Sequence, residues 1–263
     1  MNKSAAPRGP VPEFEVALAV GADDILAAQR LRYRVFSRGL GGGGDLTDHE
    51  ALIEADRFDA YCDHLLLRDR SLHGTPADQV IGTYRLLRAD QARRAGQFYC
   101  ENEYDLGILR ESGRTVLELG RSCVDERYRS GTALLHLWQG LAGYVADHRA
   151  EVLFGVASFH GTDPLTVAGP LSLLHHQYLA PANLTARSLR YETMDLVAPD
   201  ALDRRAAMVH MPPLIKAYLR LGGRVGDGAF IDLAFNTIDV CMILDTARLD
   251  PLRQALYVAP RPR

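Results

Sequence analysis

The stretch from Thr115 to Tyr144, TVLELGRSCVDERYRSGTALLHLWQGLAGY, constrains this chain more than any other. It reads as a buried strand, a basic glycine-containing turn and a long amphipathic helix, with Leu134, Trp138, Leu141 and Val145 on one helical face. Glu151–Phe159 then follows as an apolar run of the type that lies inside a sheet. Strand, helix and strand in that order call for a layered α/β arrangement. The turn carries Arg127, Arg129 and Gly131 and opens a helix, so its free backbone N–H groups suit a phosphate or pyrophosphate. A solvated helix N-terminus accounts for the same residues equally well.

The strand itself carries Glu118 and Arg121, an acid and a base that a plain core strand avoids. Their odd spacing places them on opposite faces of a regular strand. Gly120 lies between them, and a glycine inside a strand often marks a bulge, where one extra residue resets the alternation. A bulge there brings both side chains to one cleft and turns backbone N–H groups toward a carbonyl oxygen, as an acyl-transfer transition state requires. The alternative is an ion-paired strand end.

Around this centre the chain is ordinary for a globular protein. Its 263 residues are 47% hydrophobic and 24% charged, with a formal net charge of −3, so nothing drives it globally toward nucleic acid. Arginine greatly outnumbers lysine and is clustered. No window of about 18 apolar residues is present to span a membrane. Residues 1–13 read as a loose tail and residues 14–263 as a single domain, with an extended C-terminal part from about 181. Phe14–Val20 reads as a strand, and Asp23 or Asp24 caps a helix through ILAAQRLRYRVF, crowded by Arg30, Arg32, Arg34 and Arg38. A glycine-rich, then acidic stretch over 39–59 reads as a mobile lid or substrate loop. His64–Arg70 and Gln79–Arg88 make an antiparallel pair, and residues 89–104 begin as a helix. Leu165–Tyr178 is helical, as is the run MPPLIKAYLRLGG, with Pro at its start and Gly at its end; residues 181–209 are weakly patterned, and Val225–Leu233 and Val240–Leu244 are strands. The sum is a three-layer α/β/α domain with a mixed, partly antiparallel sheet.

Further candidates lie along this frame. Asp56 and Asp59 in DRFD are spaced to grip a cationic amine, to brace arginines, or to sit in an exposed turn. Arg85, mid-strand, must reach a carboxylate, either theirs or a substrate's. The histidines show no HxxxH or HExxH spacing, so no metal is expected. No GxSxG elbow marks a serine hydrolase. The cysteines Cys62, Cys100, Cys123 and Cys241 form no CxxC pair and read as free thiols of a cytoplasmic protein.

Arg32-Tyr33-Arg34-Val35-Phe36, Asp56-x-Phe58-Asp59, Gly82-Thr83-Tyr84-Arg85-Leu86 and Glu118-Leu119-Gly120-Arg121 resemble, in order and spacing, the acyl-homoserine-lactone synthases, which share a GNAT-like N-acyltransferase fold. Glycine occupies position 42, near where those enzymes carry a tryptophan. The runs LRYRVF, RFDAYCDHLLL, GTYRLLR, LELGRSCV, LFGVASFHGTDP, GPLSLLHH, PPLIKAYLRLGGRVGDGAFID and FNTIDV extend over nearly the whole chain. They resemble the L-ornithine Nα-acyltransferases of ornithine-lipid synthesis, some of which are labelled haemolysin-like. The resemblance implies transfer of a 3-hydroxyacyl chain from acyl carrier protein to the α-amine of ornithine, giving lyso-ornithine lipid. No cofactor is then bound; the donor is the 4′-phosphopantetheine thioester.

On that implied reaction, Glu118 is the base and Arg121 its positioning partner. Arg32, Asp56, Asp59 and Arg85 meet the amino acid, and the backbone of Ser122 and Cys123 holds the oxyanion. Arg127, Arg129 and Gly131 receive the pantetheine phosphate, and Phe154, Val156 and Phe159 line an acyl channel or the plain core. Arg88, Arg93 and Arg94 join Arg127 and Arg129 as a face for the acidic carrier protein. An amphiphilic product fits transient peripheral contact with the inner membrane, for which Leu214–Leu221 is the candidate helix. Two alternatives stay open: another acyl-amino-acid or acyl-homoserine-lactone synthase, and a haemolysin that is not an enzyme.

Overall fold

The computed structural model describes residues 11–39, 44–129 and 132–249. Gly131, Gly41–Gly43, nearly all of the expected tail and everything after residue 249 lie outside the described residues. Eight strands form the main sheet: β1 (Phe14–Leu18), β2 (Asp63–Asp69), β3 (Val80–Arg88), β4 (Val116–Val124), β5 (Val152–His160), β6 (Arg224–Val225), β7 (Phe230–Asp232) and β8 (Thr237–Asp245). Their order is β1-β2-β3-β4-β5-β8-β6, with β7 also on β8. Each pairing is antiparallel except β4 with β5, which is parallel. That single parallel joint is the one that needs a helical crossover, and the amphipathic helix after Thr132 supplies it.

The helices are α1 (Ala22–Arg32, continued by a π-helical turn Tyr33–Arg38), α2 (Ala89–Ala95), α3 (Gly107–Arg110), α4 (Ala133–His148), α5 (Ala168–Tyr178), α6 (Arg204–His210) and α7 (Pro213–Arg220). One sheet face buries Leu117, Leu119, Leu153 and Val240 under Leu137 and Trp138 of α4, Leu171 of α5 and Ile215 of α7. The other buries Val116, Val152 and Phe154 under Phe98, Tyr104 and Leu109, and Leu66 and Val80 under Ala28 and Leu31 of α1. Each such large apolar side chain contributes roughly 1.5–3 kcal/mol by leaving water. The sandwich of helices on both faces of a mixed sheet is the three-layer α/β/α arrangement expected. Gly140 lets α4 lie against β1, since a Cβ there would stand 2.3 Å from Val16 Cγ1.

Three local expectations change. Val225–Leu233 is two short strands, because Gly228 takes φ +81 and packs under the Tyr191 ring, which breaks the extended run. The weakly patterned 181–209 segment contains α6, capped by Asp203, whose carboxylate accepts from Arg205 N and Ala206 N. Its short length hides the helical period. The helical run expected from Leu165 starts as a 3-10 turn, Pro164–Val167, before α5.

Candidate active site

β4 and β5 pair over only three positions, Val116↔Val152, Leu117↔Leu153 and Glu118↔Phe154. Beyond Glu118 they part, and a cavity of about 270 Å³ fills the fork, lined by residues 118–122 on one side and 155–158 on the other. At the apex the strands nearly touch: a Cβ on Gly155 would meet Leu119 O at 2.0 Å. Glycine is thus the residue that lets the fork begin where it does. A sheet that opens in its middle presents unpaired backbone N–H groups to whatever enters.

The bulge expected at Gly120 sits just past it. β3 and β4 pair Arg85↔Gly120 and then Thr83↔Cys123, so β4 spends an extra residue at Arg121–Ser122. Arg121, not the glycine, takes the left-handed conformation, with φ +49. The faces record the reset: Leu117, Leu119 and Val124 lie in the core under α4, whereas Cys123 lies with α1. Glu118 and Arg121 therefore both line the cavity despite their odd spacing. A left-handed non-glycine costs on the order of 1–2 kcal/mol, and the contacts of Arg121 hold it there.

Those contacts belong to a closed ring of six buried charges. Arg32 Nε meets Glu54 Oε2 at 2.5 Å, and Glu54 Oε1 meets Arg121 Nε at 3.0 Å. Arg121 reaches Asp56 at 3.4 Å, and Asp56 takes Arg85 at 2.6 Å. Arg85 also meets Asp59 at 2.9 Å, and Asp59 closes the ring on Arg32 at 2.5 Å. Three arginines and three carboxylates alternate, so the ring is neutral. Despite the upward push of burial, Arg32 and Arg85 hold the Asp59 carboxyl far below its usual range. Against the same push, Arg85 and Arg121 lower Asp56. Arg121 also stacks between the Tyr99 and Phe235 rings, 4.6 and 4.8 Å from their centroids.

The Asp56 and Asp59 side chains, each 5% exposed, accordingly lie against arginines rather than in an exposed turn, and Arg32 and Arg85 point into the same ring. Glu54, the sixth member, was missed because nothing distinguishes it within the acidic stretch. Within the second half of the expected lid, Glu54 and Asp59 are 0% and 4% exposed and hold the arginines of the ring, two of which, Arg85 and Arg121, line the cavity.

Glu118 is buried and accepts from two backbone groups, Tyr99 N–H on Oε2 (2.8 Å) and Cys100 N–H on Oε1 (2.7 Å). Burial raises its pKa, against the pull of those N–H groups. The carboxylate thereby caps the 3-10 turn Tyr99–Asn102 and positions the next residue, Glu103. Glu103, Asp232 and Asp239 bring carboxylate oxygens within 4.8 Å of one another on the cavity wall. Asp239 carried a signal that sequence reading passed over, a lone acid inside the apolar run of β8. Glu103 and Asp232 carried none.

The expected oxyanion donors separate. Asp125 N–H donates to Ile81 O (2.8 Å), and antiparallel alternation then turns Cys123 N–H toward Thr83, away from the fork. Ser122 lies in the bulge, outside that alternation. On the other side of β4, the Tyr84 and Tyr218 hydroxyls meet at 2.5 Å, and Leu214 and Tyr218 of α7 reach the cavity. The apolar residues Ile215 and Leu219 of α7 are buried, so this helix turns its apolar side inward rather than outward to a membrane. No helix among the described residues is long and apolar enough to cross a bilayer.

Of the expected acyl-channel residues, Val156 lines the cavity, while Phe154 and Phe159 are core. A second groove opens where α1 ends and β4 leaves the sheet, lined by Arg34, Arg38, Asp125, Arg127 and Arg129 among others. Arg127 is paired with Asp125 at 2.9 Å, and Arg129 Nε donates to Val124 O at 3.1 Å. Arg34 and Arg38, read only as crowding on the first helix, belong to this groove because the π-helical turn carries them beyond α1.

Residues 31–139 match the family described as Acetyltransferase (GNAT) domain. The L-ornithine N(alpha)-acyltransferase of Rhodobacter capsulatus is 54% identical over 93% of this chain and 94% of that protein. That of Brucella abortus is 44% identical over 98% of this chain and 93% of that protein. The structure of FeeM, an N-acyl amino acid synthase from uncultured soil microbes, superposes with a TM-score of 0.50 at 11% identity, over 90% of this chain and 93% of that one. Its likeness concerns the fold.

Proposed function

This chain belongs to the L-ornithine Nα-acyltransferases and is an acyltransferase enzyme, and on that premise we propose that it moves a 3-hydroxyacyl chain from acyl carrier protein to the α-amine of L-ornithine, giving lyso-ornithine lipid. The observation that carries this reading is the fork between β4 and β5, a slot in which a thioester can lie against backbone N–H groups while buried carboxylates face it. The phosphopantetheine arm enters along the groove of Arg34, Arg38, Arg127 and Arg129, whose charge suits its phosphate.

An α-amine titrates near pH 8, so about nine in ten are protonated at pH 7. Glu118 removes that proton, directly or through one water. A carboxylate has about four lone-pair sites, so two backbone N–H bonds leave room for the ammonium, and burial raises its basicity toward that of the amine. The freed nitrogen attacks the thioester carbon. Charge collects on the carbonyl oxygen, where the Ser122 N–H in the bulge receives it. Collapse of the tetrahedral adduct breaks the C–S bond, and the second proton of the nitrogen leaves with the pantetheine sulfur, which departs as the thiol, while Glu118 returns its proton to solvent. Arg121, fixed by Glu54 and Asp56, keeps the bulge in its left-handed turn. The basic groove also meets the acidic surface of the carrier protein, and an amphiphilic product leaves by transient contact with the inner membrane.

The test uses the purified protein, 3-hydroxyacyl carrier protein and a panel of amino acids, with mass spectrometry of the amides formed. A 3-hydroxyacyl amide of ornithine, formed faster than those of the other acceptors, is the expected product. Preference for glycine, tyrosine or an S-adenosyl acceptor would overturn the assignment, and a donor preference for acyl-coenzyme A would overturn the carrier-protein half of it.

A further inference from the structure

Among the described residues, three carboxylates share one wall of the cavity without a cation of their own. Glu103 and Asp239 are each 4% exposed, and both line the cavity. Glu103 Oε2 and Asp239 Oδ1 make no hydrogen bond within the described residues, although the Ser158 and Thr237 hydroxyls act on the Asp239 carboxylate. Asp232, half-buried, completes the group within 4.8 Å. The positive charge of Arg121 reaches Glu103 and Asp239. Its guanidinium, however, is already committed to Glu54, Asp56 and Tyr99 in the neutral ring. Burial raises Glu103 well above the usual carboxylate range, with Asp239 and Asp232 adding to the push, and burial brings Asp239 up to about 6. A fold that brings three acids together on a cavity wall, two of them buried and served by no cation of their own among the described residues, leaves a place for a cation to fill.

We propose that Glu103, Asp232 and Asp239 form the subsite for the distal ammonium of the acceptor, so that this trio, rather than the Asp56 and Asp59 pair, selects a diamino acid. The proposal rests on the acceptor reading above and supplies its side-chain recognition. Asp56 and Asp59 serve Arg32, Arg85 and Arg121 instead. Order along the chain supports the division of labour. Glu118 caps the turn that begins at Tyr99, and Glu103 directly follows it. One short turn thus presents a base for the α-amine at one end and an acid for the distal ammonium at the other. The three acids also provide enough acceptors for the three N–H bonds of an ammonium.

The experiment compares acylation of ornithine with that of norvaline, which has the same carbon chain without the distal amine, in the parent protein and in Glu103→Gln and Asp239→Asn. Expected is a fall of at least about tenfold in the ratio of ornithine to norvaline kcat/KM in each variant, carried mainly by KM for ornithine. A ratio that holds within about twofold overturns the proposal. Thermal melting gives a second readout. Ornithine should raise the Tm of the parent but not of the variants, and the ligand-free variants should melt at or above the parent because like charges have been separated. A variant that melts below the parent counts against the trio as a waiting cation site. Activity that falls on chelation and returns with magnesium or calcium alone also overturns the proposal, in favour of a metal. A parent that does not acylate ornithine removes the acceptor reading and this proposal together. One that does, with unchanged preference in both variants, removes only this proposal.

Discussion

Glu54 offers the sharpest test of how the site is held together. Its side chain is 0% exposed and bridges Arg32, 1% exposed, to Arg121, 10% exposed. Glu54→Gln keeps the volume, so no cavity forms, but it turns a neutral ring of three arginines and three carboxylates into one with an excess positive charge. Removing one partner of a buried pair costs about 3–5 kcal/mol, because the other is left uncompensated in low dielectric. In a domain of this size each kcal/mol moves Tm by about 2–4 °C, so the variant should melt about 6–20 °C below the parent. The assay is thermal unfolding followed by circular dichroism. A fall of less than about 3 °C would refute the claim that the ring is a desolvated, mutually dependent unit. A companion change strengthens the argument. Arg32→Met added to Glu54→Gln leaves Arg85 and Arg121 against Asp56 and Asp59, which restores neutrality. The double variant should lose less stability than the sum of the two single losses. At temperatures where the single variant is folded, kcat/KM should still fall, since Arg121 has lost one of the contacts that hold its left-handed bulge.

Four other outcomes follow from the same geometry. Glu118→Gln should cut turnover by roughly two to four orders of magnitude; near-normal rates in a folded variant would move the base elsewhere. Gly155→Ala, whose new Cβ collides with Leu119 O at 2.0 Å, should destabilise the protein by about 1–3 kcal/mol or more and raise KM for the donor; unfolding curves that match the parent would refute the tight apex. Charge reversal at Arg34 or Arg129 should lower kcat/KM for the carrier-protein donor, steeply at low salt, and an unchanged value would remove the groove from the donor's path. Stability should also vary with pH in two directions. Asp56 and Asp59 are lowered in the folded state, so their contribution is present above the unfolded pKa of about 4 and is lost as pH falls below it. Glu103, Glu118 and Asp239 are raised, so folding binds protons above pH 4, and stability declines as pH climbs through about 6. Asp239→Asn should flatten that upper decline, and denaturant titrations at pH 3–8 read both limbs.

The sequence by itself determined a great deal of this protein. Periodicity located α4 and the long strands, because their apolar side chains alternate or recur at the spacing of the element they form. The acid and base inside an apolar strand marked β4 as the edge of a cleft, and a glycine beside them announced a reset of the alternation. Arg85 stood out as a charge inside an apolar strand, in need of a carboxylate, and Asp56 and Asp59 as a pair spaced to grip a cation or brace arginines. What the sequence left open is which charge meets which, since pairing depends on segments far apart in the chain. Glu54 joins Arg121 across 67 positions, and Glu103 joins Asp239 across 136. Only the tertiary structure showed that the DRFD carboxylates are spent on arginines, that Arg121 rather than Gly120 bears the left-handed turn, and that a second set of acids waits on the opposite wall. The physical reason is that local spacing fixes the face on which a side chain lies, while the charge it meets depends on what the folded chain packs against that face.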